Sequence, residues 1–235
     1  THCISSAASD VYKRQIIGKL VANGDIKGMK EVTSKTMVKI LILFVPSIIG
    51  MMVLSRPIIS FVYYRGAFSY EDMIMTSDVL FYYALYLIGP AIVDVLYLSF
   101  FSNQNTKIPT IISFVQLGIN ITLDYTLSRA YGLVGLSLAT TFSQLAPLII
   151  ASIIYNKTYG RLDRVYILKN LGKILIAGAI IGVFASYFYQ LRPSNLWLLV
   201  TIALTGLIYL GLVYLLKVDE FDEILAAFKS RKKRV

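Results

Sequence analysis

Six long apolar blocks occupy most of this chain, over 40–54 (resuming past Arg56 and Pro57 to residue 64), 79–101, 108–127, 133–155, 174–191 and 196–216. Most approach the ~20 residues that a helix needs to cross the hydrocarbon core of a bilayer. Backbone N–H and C=O groups meet no water there, so such blocks satisfy them internally, as helices. The basic residues are sorted between alternate gaps. Counted from residue 16 onward, seventeen lie before block one, after block two, after block four and in the tail, whereas only Arg56, Arg65, Arg129 and Arg192 lie in the other gaps. Cytoplasmic connections carry the Lys/Arg excess, so this asymmetry predicts six crossings with both ends of the chain in the cytoplasm. The expected fold class is all-α, a polytopic transmembrane helix bundle of six spans.

Composition agrees, since 57% of residues are hydrophobic and the mean hydropathy of +0.68 is far above that of a soluble domain. The net charge of +10 sits beside span ends, where bases neutralise anionic headgroups; no nucleic-acid partner is expected. Residues 5–15 read SSAASDVYKRQ, the translation of a transposase-type sequencing adapter. Residues 1–15 are therefore expected to be non-native, and the chain a fragment of a longer protein. His2 and Cys3, the only His and Cys, fall in that stretch. Without them there is no thiol nucleophile, no Cys/His metal site and no Ser-His-Asp triad, so no catalytic residues, metal or cofactor are expected.

The organisation expected is a lysine-rich amphipathic connector on the cytoplasmic membrane surface (16–39), a four-helix unit (40–156), a basic cytoplasmic connector (157–173), an appended helix pair (174–216) and a basic cytoplasmic tail (217–235). Pro46, Pro90 and Pro147 predict kinks within spans, a feature common in transporters. The turn around Arg65, Gly66, Ala67 and Phe68 precedes Ser69 and Asp72, whose S-x-x-D spacing predicts a helix N-cap. Pro109 suits the first turn of a helix. Gly178 and Gly182 form a GxxxG face for close packing against block six or another helix.

Charged and polar side chains inside the spans are the sharpest functional pointers, because each is costly in lipid unless a cavity or partner receives it. Asp94 lies mid-block one turn after Pro90. Gln116, Asn120 and Asp124 recur every four residues and so share one helical face, which is expected to line an aqueous cavity. Asp78 opens block two, where a helix N-terminus favours a carboxylate. These five are the candidates for a substrate cavity or for ion coupling.

Three segments, YYRGAFSYED (63–72), LSFFSNQNTKIPT (98–110) and GLVGLSLATTFSQ (132–144), resemble in order and spacing the MurJ/MviN lipid II flippase family, within the multidrug/oligosaccharidyl-lipid/polysaccharide exporter superfamily. The resemblance spans 16–235 and implies the last six of fourteen helices in a two-lobe flippase. It implies a bacterial inner-membrane protein, a transporter rather than an enzyme. Such a protein moves undecaprenyl-linked peptidoglycan precursor from the cytoplasmic to the periplasmic leaflet by alternating access. The implied partners are that precursor, membrane lipids and the missing N-terminal helices; a coupling cation or the membrane potential would drive the cycle. The pair 174–216 resembles the helices that form a groove for the lipid tail. In one departure, Asp94 stands where many relatives carry a base, which favours ion coupling or an internal salt bridge there. The alternatives are a flippase for O-antigen or capsule oligosaccharide and a cation-coupled multidrug exporter.

Overall fold

The computed structural model describes residues 17–20 and 23–223; the adapter-like stretch 1–15 and the tail beyond 223 lie outside the described residues. Eight named helices follow in order: α1 (Ile26–Val53), α2 (Ser55–Tyr63), α3 (Tyr70–Tyr86), α4 (Ile88–Ser102), α5 (Lys107–Ser143), α6 (Leu145–Tyr159), α7 (Arg164–Gln190) and α8 (Asn195–Leu215). No strand occurs among the described residues.

Proline position explains where the helices break. Pro57, Pro90, Pro109 and Pro147 are each the third residue of their helix, in α2, α4, α5 and α6. There the missing N–H is one of four that have no intrahelical acceptor, so the ring costs no hydrogen bond. Its clash with the carbonyl four residues back instead interrupts the run at Leu54, Leu87 and Gln144. The breaks associated with Pro90 and Pro147 thus lie one turn upstream of the prolines. Pro46 behaves differently: α1 is continuous through it. The carbonyl that Pro46 deprives of a donor is that of Ile42, and the Tyr209 hydroxyl of α8 donates to it at 2.8 Å. Replacing Tyr209 by phenylalanine is expected to leave that carbonyl unpaired and to cost about 1 kcal/mol, measured by unfolding the detergent-solubilised chain.

Five helical runs are long and apolar enough to cross a membrane. One of them, Lys107–Tyr159, has 53 residues, about 80 Å at 1.5 Å per residue against a core of about 30 Å. It folds back on itself. Gly132 takes φ 59° and ψ −134°, a backbone conformation closed to L side chains. Beyond it Gly135 lies against the Leu127 carbonyl, and Ile112 packs with Ala151 and Tyr155. The run is therefore two antiparallel legs, and the bundle has the six spans that the apolar blocks predict.

Helix α1 is the central element. One side packs through Val38, Leu41, Ile42 and Val45 against Ile174, Ala177 and Ile181 of α7 and Tyr209 and Val213 of α8. The other side packs through Met29 and Met37 against Val95, Leu96 and Phe100 of α4 and Tyr155 and Tyr159 of α6. Lipid is as apolar as these side chains, so close fit rather than water exclusion holds the helices together. The GxxxG face supplies such a fit. Gly178 touches Ile49, and a Cβ at Gly182 would lie 3.0 Å from Ile49 Cγ2, so the motif packs on α1 rather than on block six.

Two expected connectors are largely helix. Asp25 caps the Gly28 N–H at 2.8 Å, and α1 runs unbroken from Ile26, so 26–39 is helix continuous with span one. Likewise α7 starts at Arg164, capped by Asp163 on the Tyr166 N–H at 2.9 Å. The link from α6 is then only 160–163, and 164–173 extends span five. In both cases a carboxylate cap sets the start earlier than hydropathy does. The segment 217–223 turns back onto the bundle, with Val218 and Phe221 buried.

Candidate functional site

Contacts between elements place the base-rich segments at one end of the bundle. Asn103 Nδ2 donates to the Tyr159 hydroxyl at 2.8 Å, Lys39 pairs with Glu220 at 3.1 Å, and Lys30 reaches the Gly160 turn. The turn containing Arg65, Gly66, Ala67 and Phe68 lies at the opposite end. Gly66 has φ 63°, the Arg65 guanidinium donates to the Val62 carbonyl at 2.7 Å, and Ser69 and Asp72 cap each other reciprocally. The predicted N-cap is present. These contacts make the motif a chain reversal.

A groove of about 670 Å³ runs along α1, α7 and α8. Leu43, Pro46, Gly50, Ile202, Gly206 and Leu210 line it. Pro46, Gly50 and Gly206 project little beyond the backbone, which leaves the trough open. Of its hydroxyls, Ser47 donates to the Leu43 carbonyl at 2.8 Å and Tyr209 to the Ile42 carbonyl, whereas Thr205 Oγ1 is buried with no hydrogen-bond partner among the described residues. An unbranched or isoprenoid hydrocarbon fits such a wall; a charged group does not. Helix α1 supplies much of this wall, with Ile181 from α7 and Ile202, Gly206 and Leu210 from α8.

Gln116, Asn120 and Asp124 form the predicted stripe on the first leg of α5, each half-buried. Asn120 Nδ2 and Asp124 Oδ1 are buried with no hydrogen-bond partner among the described residues. Arg129, one turn on, stacks over the Tyr125 ring at 3.9 Å, and the ion pairs of the described residues do not include Asp124. Buried polar atoms without a partner are costly in lipid.

The other two candidates stand apart. Asp94 is exposed on α4, while its neighbours Val93 and Val95 point inward. It thus faces away from this bundle's own packed interior. Asp78 lines a cavity of about 470 Å³ between α2, α3 and α7, together with Arg56, Tyr82, Ser186 and Tyr189. No cluster of three or more His, Cys, Asp or Glu suited to a metal occurs among the described residues.

One polar assembly escaped sequence reasoning. Glu220, 2% exposed, accepts from Tyr166 at 2.7 Å and pairs with Lys39, which also binds Glu223. Asn170 donates to Asp219 Oδ2 at 3.2 Å and accepts from the Asp219 N–H at 3.3 Å. The Lys39 hydrogen bond holds Glu223 below the usual carboxylate range. The signal was available: four acids interrupt the basic tail at 219–223.

A family model described as "Lipid II flippase MurJ" matches residues 16–207. A probable lipid II flippase MurJ of Thermotoga maritima is 28% identical over 205 residues, covering 87% of this chain and 41% of that protein. A lipid II flippase MurJ of Thermosipho africanus is 31% identical over 166 residues, 71% of this chain and 33% of its own length. A solved structure titled as lipid II flippase MurJ in an inward closed conformation superposes with TM-score 0.72 at 26% identity, over 86% of this chain and 42% of that one. The chain thus spans about two fifths of the length of the first of these relatives.

Proposed function

The chain belongs to the lipid II flippase MurJ family, and from that membership we propose that it forms the groove-bearing part of a flippase for undecaprenyl-linked peptidoglycan precursor. The observation that supports this reading best is the shared fold with a lipid II flippase across most of the chain, with an apolar groove and an unsatisfied polar stripe on one bundle. Moving an amphiphile between leaflets requires two separate environments. The prenyl tail stays in hydrocarbon along α1, α7 and α8, while the pyrophosphate-sugar headgroup crosses in a polar seam. The matching relatives extend well beyond this chain, and their additional length is where the other wall of that seam would come from. The basic end faces the cytoplasm of a bacterial inner membrane, as charge asymmetry favours. The work is transport, with no covalent step.

Asp124 and Asn120 hold a coupling cation in this reading. A monovalent ion takes oxygen ligands, and a flip of the Asn120 amide presents its oxygen where its nitrogen stands. Asp124→Asn is expected to abolish any gain in melting temperature that sodium or potassium gives the purified chain over choline at equal ionic strength. A cation gain that survives Asp124→Asn places the ion elsewhere.

The flippase reading is tested by a chimera in which residues 16–223 replace the matching part of a working lipid II flippase. Expression in cells depleted of their own flippase should restore growth. A chimera that inserts at parental levels and fails to support growth overturns the reading.

A further inference from the structure

A second polar cavity, of about 450 Å³, opens at the basic end between the first turns of α1 and the 160–163 link into α7. Lys27, Lys30, Ser34, Lys35, Arg161 and Asp163 are among its lining residues. The two acids that face it are already engaged. Glu31 pairs with Lys35 at 2.9 Å, and Asp163 accepts the Tyr166 N–H at 2.9 Å as the cap of α7. Lys27, Lys30 and Arg161 have no ion-pair partner among the described residues. Gly160, at φ 86°, brings the link so close that a Cβ there would lie 3.5 Å from Lys30 Nζ, so the ammonium is held across the cleft rather than extended into solvent.

Ser34 is the second and independent observation. It is 3% exposed, it lines the cavity, and its Oγ is buried with no hydrogen-bond partner among the described residues. The usual outlet for a helical serine is the carbonyl one turn back, which Thr33 and Ser47 both use; Ser34 does not. A bare surface of lysines would explain charge asymmetry alone. It would not place an unsatisfied hydroxyl at the floor of the same cleft.

We propose that this cleft is a binding site for a phosphate group, with Lys27, Lys30 and Arg161 around the anion and the Ser34 hydroxyl donating to it from below. Phosphate offers several strong acceptor oxygens to such a set, and a guanidinium matches two of them at once. The position, at a span end beside lipid, suits the phosphate of an anionic lipid headgroup. A free phosphate has the same chemistry.

The purified full chain in zwitterionic detergent separates these sources. It is titrated with dihexanoyl phosphatidic acid, with dihexanoyl phosphatidylcholine as the uncharged-net control, and separately with inorganic phosphate. The double variant Lys30→Gln/Arg161→Gln is expected to bind phosphatidic acid about thirtyfold more weakly, and Ser34→Ala about tenfold more weakly. Lys107→Gln/Lys169→Gln, two exposed bases elsewhere at the same end, should leave binding unchanged. Lys30→Arg/Arg161→Lys keeps the charge and should retain most binding, with a parental melting curve showing that the fold is intact. Inorganic phosphate that competes at equal affinity identifies a free phosphate as the ligand, whereas phosphatidic acid alone identifies a headgroup. The proposal fails if Lys107→Gln/Lys169→Gln weakens binding as much as the cleft variant does. It also fails if phosphatidic acid binds no better than phosphatidylcholine.

Discussion

Exchanging Lys39 for methionine is expected to cost about 3 kcal/mol, the largest single effect among the polar residues of this bundle. Glu220 is 2% exposed, and the Lys39 ammonium and the Tyr166 hydroxyl are its partners. Methionine keeps the length of the lysine stem and removes the charge, so a buried carboxylate is left with one hydroxyl. Lys39 is itself 31% exposed, which puts the loss at the low end for a broken buried pair. Unfolding of the solubilised chain by a denaturing detergent measures it. The double variant Lys39→Met/Glu220→Leu should regain most of the loss, because it removes the stranded charge along with its partner. If Lys39→Met alone is silent, the segment 217–223 is not held by this pair. Glu223 adds a pH dependence of known sign. Its carboxyl is lowered by Lys39, so the contact is present above the ordinary carboxylate range and is lost as pH falls through the lowered value. That pair is exposed, and its contribution is small.

Replacing Gly178 by leucine should be comparably damaging, at about 3 kcal/mol. Gly178 already touches Ile49 Cδ1, with Val45 Cγ1 3.4 Å from where a Cβ would stand. A leucine there forces α7 off α1, and with it one wall of the apolar groove. Gly182→Ala is the graded control: its Cβ would lie 3.0 Å from Ile49 Cγ2, the nearer part of a side chain that can shift. Its cost should be a small fraction of that of Gly178→Leu. Ile49→Ala combined with Gly178→Leu should recover part of the stability by opening space for the new side chain. If Gly178→Leu melts like the parent chain, α1 and α7 do not meet at this face.

The stripe Gln116, Asn120 and Asp124 was legible because four-residue spacing fixes a helical face whatever the helix packs against. The satisfaction of its atoms was not, since it depends on what other elements bring near; only the structure leaves Asn120 Nδ2 and Asp124 Oδ1 unpaired. Asp94 and Asp78 carried the same sequence signal of charge within an apolar block, yet they occupy different surroundings. Hydropathy registers that a charge is in a span and contains nothing about its azimuth relative to neighbouring helices.

Short-range rules read from the sequence held wherever the physics is local. The Ser69–Asp72 cap and the place of Pro109 in a first turn both depend on a few consecutive residues. Proline kinks were local in cause and still shifted, because the ring's clash falls four residues upstream and the helix breaks there. Within the expected connectors, 26–39 and 164–173 are helix continuous with a span for a related reason. Charge marks where a chain leaves lipid, but Asp25 and Asp163 start the helices earlier, and a helix continues through the interface at no cost.

By itself the amino-acid order determined the class of environment, the number of crossings and which end is basic, since each follows from the transfer of apolar and charged groups between water and lipid. The tertiary arrangement alone decided that α1 is the hub, that Tyr209 repairs the gap left by Pro46, and that Asp219, Glu220 and Glu223 of a basic tail close onto Asn170 and Lys39. Those contacts join residues 49 to 184 positions apart. No periodicity encodes such pairings, because in lipid every apolar face is an acceptable neighbour and only shape and unpaired polar atoms choose between them.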